Sequence, residues 1–456
     1  MIARRRIAVL GGAAWLLCAA GPGCGDNRHP ADLFTAVSGT RLALQKYRYD
    51  DGTEQAVATE FFDTANHTRC TPQPWPDGAL RCVPVADDAV YVDPACTMAI
   101  GLGRTIAKPT YFIGYDAAPT GRVPARLFRA GGAAAAIPAY YERAGDTCRG
   151  PVAVPADLKT FFEIGDELDA GDLVALHDDD ELGDSVLGLR LRTTDDGLRV
   201  PLGLRDRALD VACVPRFQGD GSVGCEPSGA APAAYFRDPG CSEPVVAVAA
   251  AAAPVIAMVA EPSGCTSYRS IGREVAPPIY RRDGDACSAV AAPADGRLFA
   301  VDAPIELPAL DRALEVVPGR RLQRIFLDHD GLRFVEDRLF DTATGAECER
   351  RAFRDATRCI PAGTTPAITL FMAGCTVQVR VAEIPQRTCQ PLAFATTARP
   401  LQIRAIEEVT TDPLFVLDGD ACTPYTSAPG LAVHTLGPAL DPTSFMAAIY
   451  YGERSP

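Results

Sequence analysis

Short runs of aromatic and β-branched residues recur along this chain, each closed by Asp, Gly or Pro. Phe61-Phe62-Asp63-Thr64 and Leu339-Phe340-Asp341-Thr342 are two of them. Tyr91-Val92-Asp93-Pro94-Ala95-Cys96 and Tyr235-Phe236-Arg237-Asp238-Pro239-Gly240-Cys241 share a longer form. Aromatic and β-branched side chains favour strands, Asp, Gly and Pro turn the chain, and a cysteine opens the next strand. The pattern predicts successive β-hairpins and a predominantly β protein. Helical periodicity is scarce; the best short stretches are residues 155–162, 307–316 and 442–449. The apolar run 245–260 has 16 residues and is interrupted by Pro254. It falls short of the ~20 residues a membrane-spanning helix needs and reads as buried strands either side of a bend.

The hairpins are organised by a cysteine pattern that passes along the chain three times: Cys70, Cys82, Cys96 and Cys148; Cys213, Cys225, Cys241 and Cys287; Cys348, Cys359, Cys375 and Cys422. Such a period means one structural unit used repeatedly. Asp63, Asp206 and Asp341 each stand seven residues before the first cysteine, and Pro84, Pro227 and Pro361 stand two after the second. Tyr141, Tyr280 and Phe415 stand seven before the fourth, which Gly-Asp-x always precedes. Asp51-Gly52, Asp196-Gly197 and Asp330-Gly331 mark a turn early in each copy. The third copy departs by placing Met372 where the others have Asp93 and Asp238.

These marks divide the chain into a signal peptide (1–23), a tether (24–36) and β repeats at 37–185, 186–317 and 318–456. The joins at 186–191 and 317–322 run straight from one unit into the next, which favours packed repeats. The expected fold is all-β, with three tandem cysteine-containing hairpin repeats forming a β-propeller of about six blades. The alternative is three disulfide-bonded β-domains in series. Within the first repeat, a two-residue turn at Asp77-Gly78 would set Cys82 opposite Gln73, so a Cys70–Cys82 bridge calls for a wider loop centred near Pro76. Four cysteines allow three connectivities, of which bridging within the hairpin is the reading adopted. Cys265 and Cys389 have no counterpart in the first repeat, and a bond between them would cross the boundary of repeats two and three.

The amino terminus explains why cysteines matter here. Arg4, Arg5 and Arg6 precede an apolar stretch at 7–20, then Gly21-Pro22-Gly23-Cys24. This reads as a bacterial export signal and resembles a lipoprotein signal, with Cys24 as the lipidated residue; Gly21 stands where an aliphatic residue is usual. Ordinary cleavage and a soluble secreted chain are the alternative. Of 16 cysteines, Cys18 leaves with the signal, and lipidation of Cys24 leaves an even 14. In an oxidising compartment these read as disulfides, and no C-x-x-C pair suggests zinc.

A net charge of −14 disfavours nucleic acid and anionic membrane as partners, leaving the membrane to the amino-terminal lipid and an unidentified envelope or extracellular partner. Catalytic motifs are not found: the five histidines form no H-E-x-x-H, and there is no G-x-S-x-G or P-loop. His177-Asp178-Asp179-Asp180-Glu181 reads as a solvated acidic loop. Asp283-Gly284-Asp285 and Asp418-Gly419-Asp420 lack the remaining ligands of an EF-hand. Asp63, Asp206 and Asp341 read as backbone-bonding turn residues. Asn66-His67-Thr68 is a sequon in form only, and Trp75 is the sole tryptophan after signal removal. No cofactor or metal is expected.

With the signal, Cys24, the aromatic–Asp–x–x–Cys hairpins and the low lysine content (Lys46, Lys108 and Lys159) together, the chain resembles the uncharacterised cysteine-repeat predicted lipoproteins of myxobacteria. The resemblance implies an envelope location, on the outer membrane, and no known activity. Two functions follow as expectations. One is a non-enzymatic binding or structural protein of the envelope. The other is an exported hydrolase acting on glycans from carboxylates on a propeller face, which needs two non-equivalent carboxylates ~5–9.5 Å apart.

Overall fold

A computed structural model describes residues 35–452, apart from 104–108, 119–120, 135, 145–146, 155–159, 182–185, 219–221, 250–255, 262–264, 284–285, 294–295, 355, 386–391, 399–400 and 428–429. The chain is all-β. Fifteen strands close into one barrel. The first repeat supplies β1 (Leu42–Tyr49), β2 (Glu54–Asp63), β3 (Thr68–Pro74), β4 (Leu80–Pro84) and β5 (Ala175–Glu181). The second supplies β6 (Leu187–Thr193), β7 (Arg199–Asp206), β8 (Val211–Phe217), β9 (Val223–Pro227) and β10 (Ala309–Glu315). The third supplies β11 (Leu322–His329), β12 (Leu332–Asp341), β13 (Ala346–Phe353), β14 (Ala356–Pro361) and β15 (Ala447–Gly452). Each repeat leaves the barrel after its fourth strand, builds an outer sheet of seven or eight strands, and returns as its fifth. The ring closes where β1 pairs antiparallel with β15, Lys46 facing Tyr451.

This overturns the propeller. The fifteen strands share one continuous ladder from β1 to β15, so there are no separate blades radiating from an axis. The three outer sheets are disulfide-bonded units in series, as the alternative reading held, but their bases are fused. The helical stretches are also corrected: 307–316 holds β10, and 442–449 holds a single 3₁₀ turn, Pro442–Ser444, before β15. Of 155–162, residues 160–162 begin the strand Thr160–Leu168, and the rest lies outside the described residues. The run 245–260 forms Pro244–Ala249 and Ile256–Ala260, two strands as expected.

The barrel interior is packed in three lobes. Each lobe takes one repeat's hairpin disulfide and the first hairpin of the next repeat round the ring. Cys70 and Cys82 pack with Leu42, Leu44, Phe61 and, from repeat two, Leu198 and Val200. Cys213 and Cys225 pack with Leu189, Leu204 and, from repeat three, Ile325 and Leu327. Cys348 and Cys359 pack with Leu322, Leu339 and, from repeat one, Tyr49. A fully buried leucine contributes about 1.5–3 kcal/mol, against about 1 kcal/mol for a turn hydrogen bond, so these lobes hold the ring together.

The Asp-Gly turns latch the same junctions. Asp51 Oδ2 accepts from the backbone N–H of Leu322 at 2.7 Å, and Asp196 Oδ2 accepts from those of Arg41 and Leu42 at 2.6 and 3.0 Å. Asp330 departs. Its turn is one residue shorter, since His329 faces Leu332 directly, and both Asp330 and Gly331 have positive φ. Its carboxylate is largely exposed, 3.6 Å from His329 Nε2.

Six disulfides link the first cysteine of each repeat to the second and the third to the fourth: Cys70–Cys82, Cys96–Cys148, Cys213–Cys225, Cys241–Cys287, Cys348–Cys359 and Cys375–Cys422. The hairpin bridges are diagonal. Cys70 faces Pro84 while Pro72 faces Cys82, so the loop centres on Asp77 rather than Pro76. The bridge nevertheless spans only 5.2 Å between Cα atoms. The other repeats keep this register, with Cys213 facing Pro227 and Cys348 facing Pro361.

In the outer sheets, the aromatics before the third and fourth cysteines are direct cross-strand partners: Tyr91 with Tyr141, Phe236 with Tyr280, and Phe371 with Phe415. Cys96, Cys241 and Cys375 all have positive φ, at turns that aim each sulfur at the final hairpin. Asp93 and Asp238 stabilise two of these turns. Their carboxylates accept from Met98 and Thr97, and from Glu243 and Ser242, and these backbone bonds hold both below the ordinary aspartate range. Cys265 is disulfide-bonded too, and the twelve cysteines above are paired among themselves. Cys389 and Cys24 lie outside the described residues.

Candidate functional site

The second strand of each first hairpin is irregular at the same level. In repeat one Leu44 faces Phe61, but Gln45 faces Val57. In repeat two the register slips between Arg190 and Leu191, opposite Gly203 and Pro201. In repeat three Arg324 faces Leu339, but Phe326 faces Val335. Such bulges free backbone from the ladder and re-aim side chains. The three converge on a cavity of about 300 Å³, to which all three repeats contribute. Ala58, Pro201 and Glu336 line it from equivalent places, each twelve residues before its repeat's first cysteine. Lys46, Glu54, Gln55, Arg324 and Asp337 add polar groups, and Val200, Leu202, Val335 and Leu339 add apolar wall.

The electrostatics of this cavity are uneven. Glu336 is buried, and that burial pushes its carboxyl up to about 7. Arg338 pairs with it and with Glu347, at 2.7 Å, while Arg312 of repeat two lies 3.0 Å from Glu347. This ladder runs from the cavity wall to the seam between repeats two and three. On the opposite wall, hydrogen bonds from Tyr451 and Arg48 hold Glu54 below its ordinary value, and Lys46 Nζ stands 3.8 Å from it. Gln55 bridges the walls: its Oε1 accepts from Tyr49 at 2.7 Å, and its Nε2 donates to Asp337 Oδ1 at 3.1 Å. A buried carboxyl poised near neutrality in a concave, mixed-polarity site is the arrangement that ligand sites share.

The repeated aspartates lie elsewhere and are structural. Asp63 is buried and accepts from the N–H groups of Ala65 and Asn66 and from both sides of the Arg41 guanidinium. Asp341 accepts from Ala343 N–H and, bidentate, from Arg321. Asp206 accepts from Leu209 N–H. Val186 stands before Leu187 of repeat two, where repeats one and three place Arg41 and Arg321 before Leu42 and Leu322.

The remaining candidates are likewise occupied. Asp178 forms a bidentate pair with Arg192 on the neighbouring strand at 2.7 and 2.9 Å, so this stretch is barrel strand β5 rather than loop. Gly419-Asp420 join directly paired Asp418 and Ala421. Asn66 Nδ2 donates to Asp63, and Trp75 is buried between the barrel and the first outer sheet. Among the described residues no group of three or more His, Cys, Asp or Glu is placed to hold a metal.

The cavity residues themselves escape a motif search. Glu336 and Asp337 carry a signal, charged residues where the other copies have Ala58 and Thr59, and Pro201 and Leu202. Residues 16–445 match the family of unknown function DUF7481, and the chain belongs to that family. No curated protein and no solved structure matches it.

Proposed function

We propose that the protein is an exported, lipid-anchored component of the bacterial cell envelope with a binding or structural role, as its resemblance to the cysteine-repeat lipoproteins of myxobacteria implies. The observation that carries this reading is the placement of the six disulfides that recur from repeat to repeat. Every barrel lobe and every outer sheet has its own, and such a framework forms and persists in an oxidising compartment. Asp63, Asp206 and Asp341 support a non-catalytic role, because they are committed to their own turns. Among the described residues no helix is long and apolar enough to cross a membrane, which leaves Cys24 as the proposed anchor. The test is fractionation of producing cells with acyl-chain labelling. The expected result is labelled protein in the membrane fraction, and release without label for Cys24→Ser. Recovery of the wild type in the cytosol with free thiols would sink the proposal.

A further inference from the structure

Each outer sheet ends in the hairpin that carries its fourth cysteine, and the last strand of that hairpin has one edge with no neighbouring strand among the described residues. An open edge is a template for another strand, and proteins blunt it with charge, proline, a bulge or brevity. Two of the three edges are blunted. Thr147–Ala153 carries Arg149 and Pro151, and its register slips between Arg149 and Val152. Ala421–Pro424 has only four residues and ends on Pro424. There the Tyr425 N–H donates inward to the Leu414 carbonyl at 2.8 Å, so Pro424 faces outward, where it has no N–H to offer. The second edge, Ala286–Val290, has none of these devices. It reads Ala-Cys-Ser-Ala-Val, without charge or proline, and Ala286, Ser288 and Ala289 are exposed. Its five residues pair with Ile279–Asp283 in unbroken register.

Asp283 pairs with Ala286 across two intervening residues. Residues that flank such a turn bond each other, and bonding alternates along an antiparallel strand. Ala286, Ser288 and Val290 therefore bond inward, while Cys287 and Ala289 turn their N–H and C=O groups out. We infer that this edge pairs antiparallel with the same edge of a second copy of the chain, about a two-fold axis at Ser288. Cys287 of each copy then faces Ala289 of the other, and both pairs exchange N–H···O=C bonds. A two-fold pairing needs only groups that this edge already presents, and its small side chains leave the approach clear. Charge points the same way. With a net charge of −14 two copies repel in general, but residues 286–293 carry no charge, and this register sets Asp285 against Ala291 rather than another acid. Arg281, Arg282 and Asp283 lie one strand further in. The two copies' Arg281 would stand three strand spacings apart, ~14 Å, beyond the screening length of ~8 Å at physiological salt. The inference goes beyond the proposed function and is independent of the lipid anchor.

The test is sedimentation velocity on the full, oxidised mature chain carrying Cys24→Ser, so that no acyl chain contributes to association. Concentrations from about 10 µM to about 1 mM span the weak affinities that a small interface gives. The dimer fraction should rise across this range, and hydrogen exchange should show protection gained at the Cys287 and Ala289 amides. Ser288→Glu sets two carboxylates opposite each other at the axis, yet beside Arg281 within one copy, and should weaken the dimer at least about tenfold. Mixing it with Ser288→Lys should restore association. A chain still monomeric at about 1 mM overturns the inference, as does a dimer that leaves the two amides unprotected or ignores Ser288→Glu. So does protection of those amides in a monomeric chain by the added peptide Thr-Val-Thr-Val-Thr, which would make the edge a receptor for foreign strands. The measurements without a Ser288 substitution decide the matter even where a variant fails to fold. Each of these results leaves export and anchoring untouched.

Discussion

The barrel and the outer sheets use the same bond for opposite purposes. In the barrel, each disulfide closes a loop of 11 or 12 residues, and all six cysteines are at most 2 % exposed. They sit among leucines and aromatics as filling. In the outer sheets the separation is 46 to 52 residues. One sulfur of each pair lies on a hairpin that buries little, such as Ala421–Pro424, exposed throughout. There the bond substitutes for a core. The barrel would remain cohesive through its lobes without its bridges, whereas the final outer hairpins depend on theirs.

The largest expected effect follows from loop length. Replacing Cys96 and Cys148 together by serine should destabilise the first outer sheet by about 4 kcal/mol, read as lost hydrogen-exchange protection confined to that sheet. The barrel pair Cys213 and Cys225, replaced by alanine, should cost about 3 kcal/mol. A barrel pair that costs more than the outer pair would show that packing of buried sulfur outweighs loop entropy, and would break the contrast.

Glu336 provides the next test. Its carboxyl lies near 7 against an ordinary 4.5, so the folded state favours the protonated form. Stability is then fully present below about pH 4.5 and is lost as pH rises through about 7. Glu336→Gln should remove that loss, gaining about 2 kcal/mol on the wild type between about pH 5 and pH 8 in urea titrations. Parallel pH profiles for the two proteins would refute this. The smallest effect concerns the latches: Asp51→Ala should cost about 1 kcal/mol and Asp330→Ala close to none, because only the first reaches across a junction. A non-reducing peptide map should also show Cys265 joined to Cys389. A free Cys389 thiol would exclude a clasp between repeats two and three.

The sequence shows the local structure well and the global closure poorly. Strand content and the turns at Asp63 and Asp93 are written in contiguous residues, since a hairpin is a local object. Nothing near residues 175–181 says that they return to pair with β4, some ninety positions earlier, where Ala175 faces Arg81. That insertion turns three apparent domains into one ring. The same limit hid the cavity, which arises from three register slips meeting in space. The signal available there lies in Glu336 and Asp337, repeat positions that change chemical character.

The pairing of β1 with β15 has a consequence for biogenesis. The first barrel strand has no partner on one edge until the last strand of the chain has been made. An exposed strand edge is a template for pairing with another chain. Hairpin disulfides between cysteines 11 or 12 residues apart have both partners at hand long before the chain is complete, so oxidation can set each hairpin before the ring shuts. A chain lacking Ala447–Gly452 should therefore still form its hairpin disulfides under oxidising conditions, yet keep that edge open and prone to associate with its neighbours.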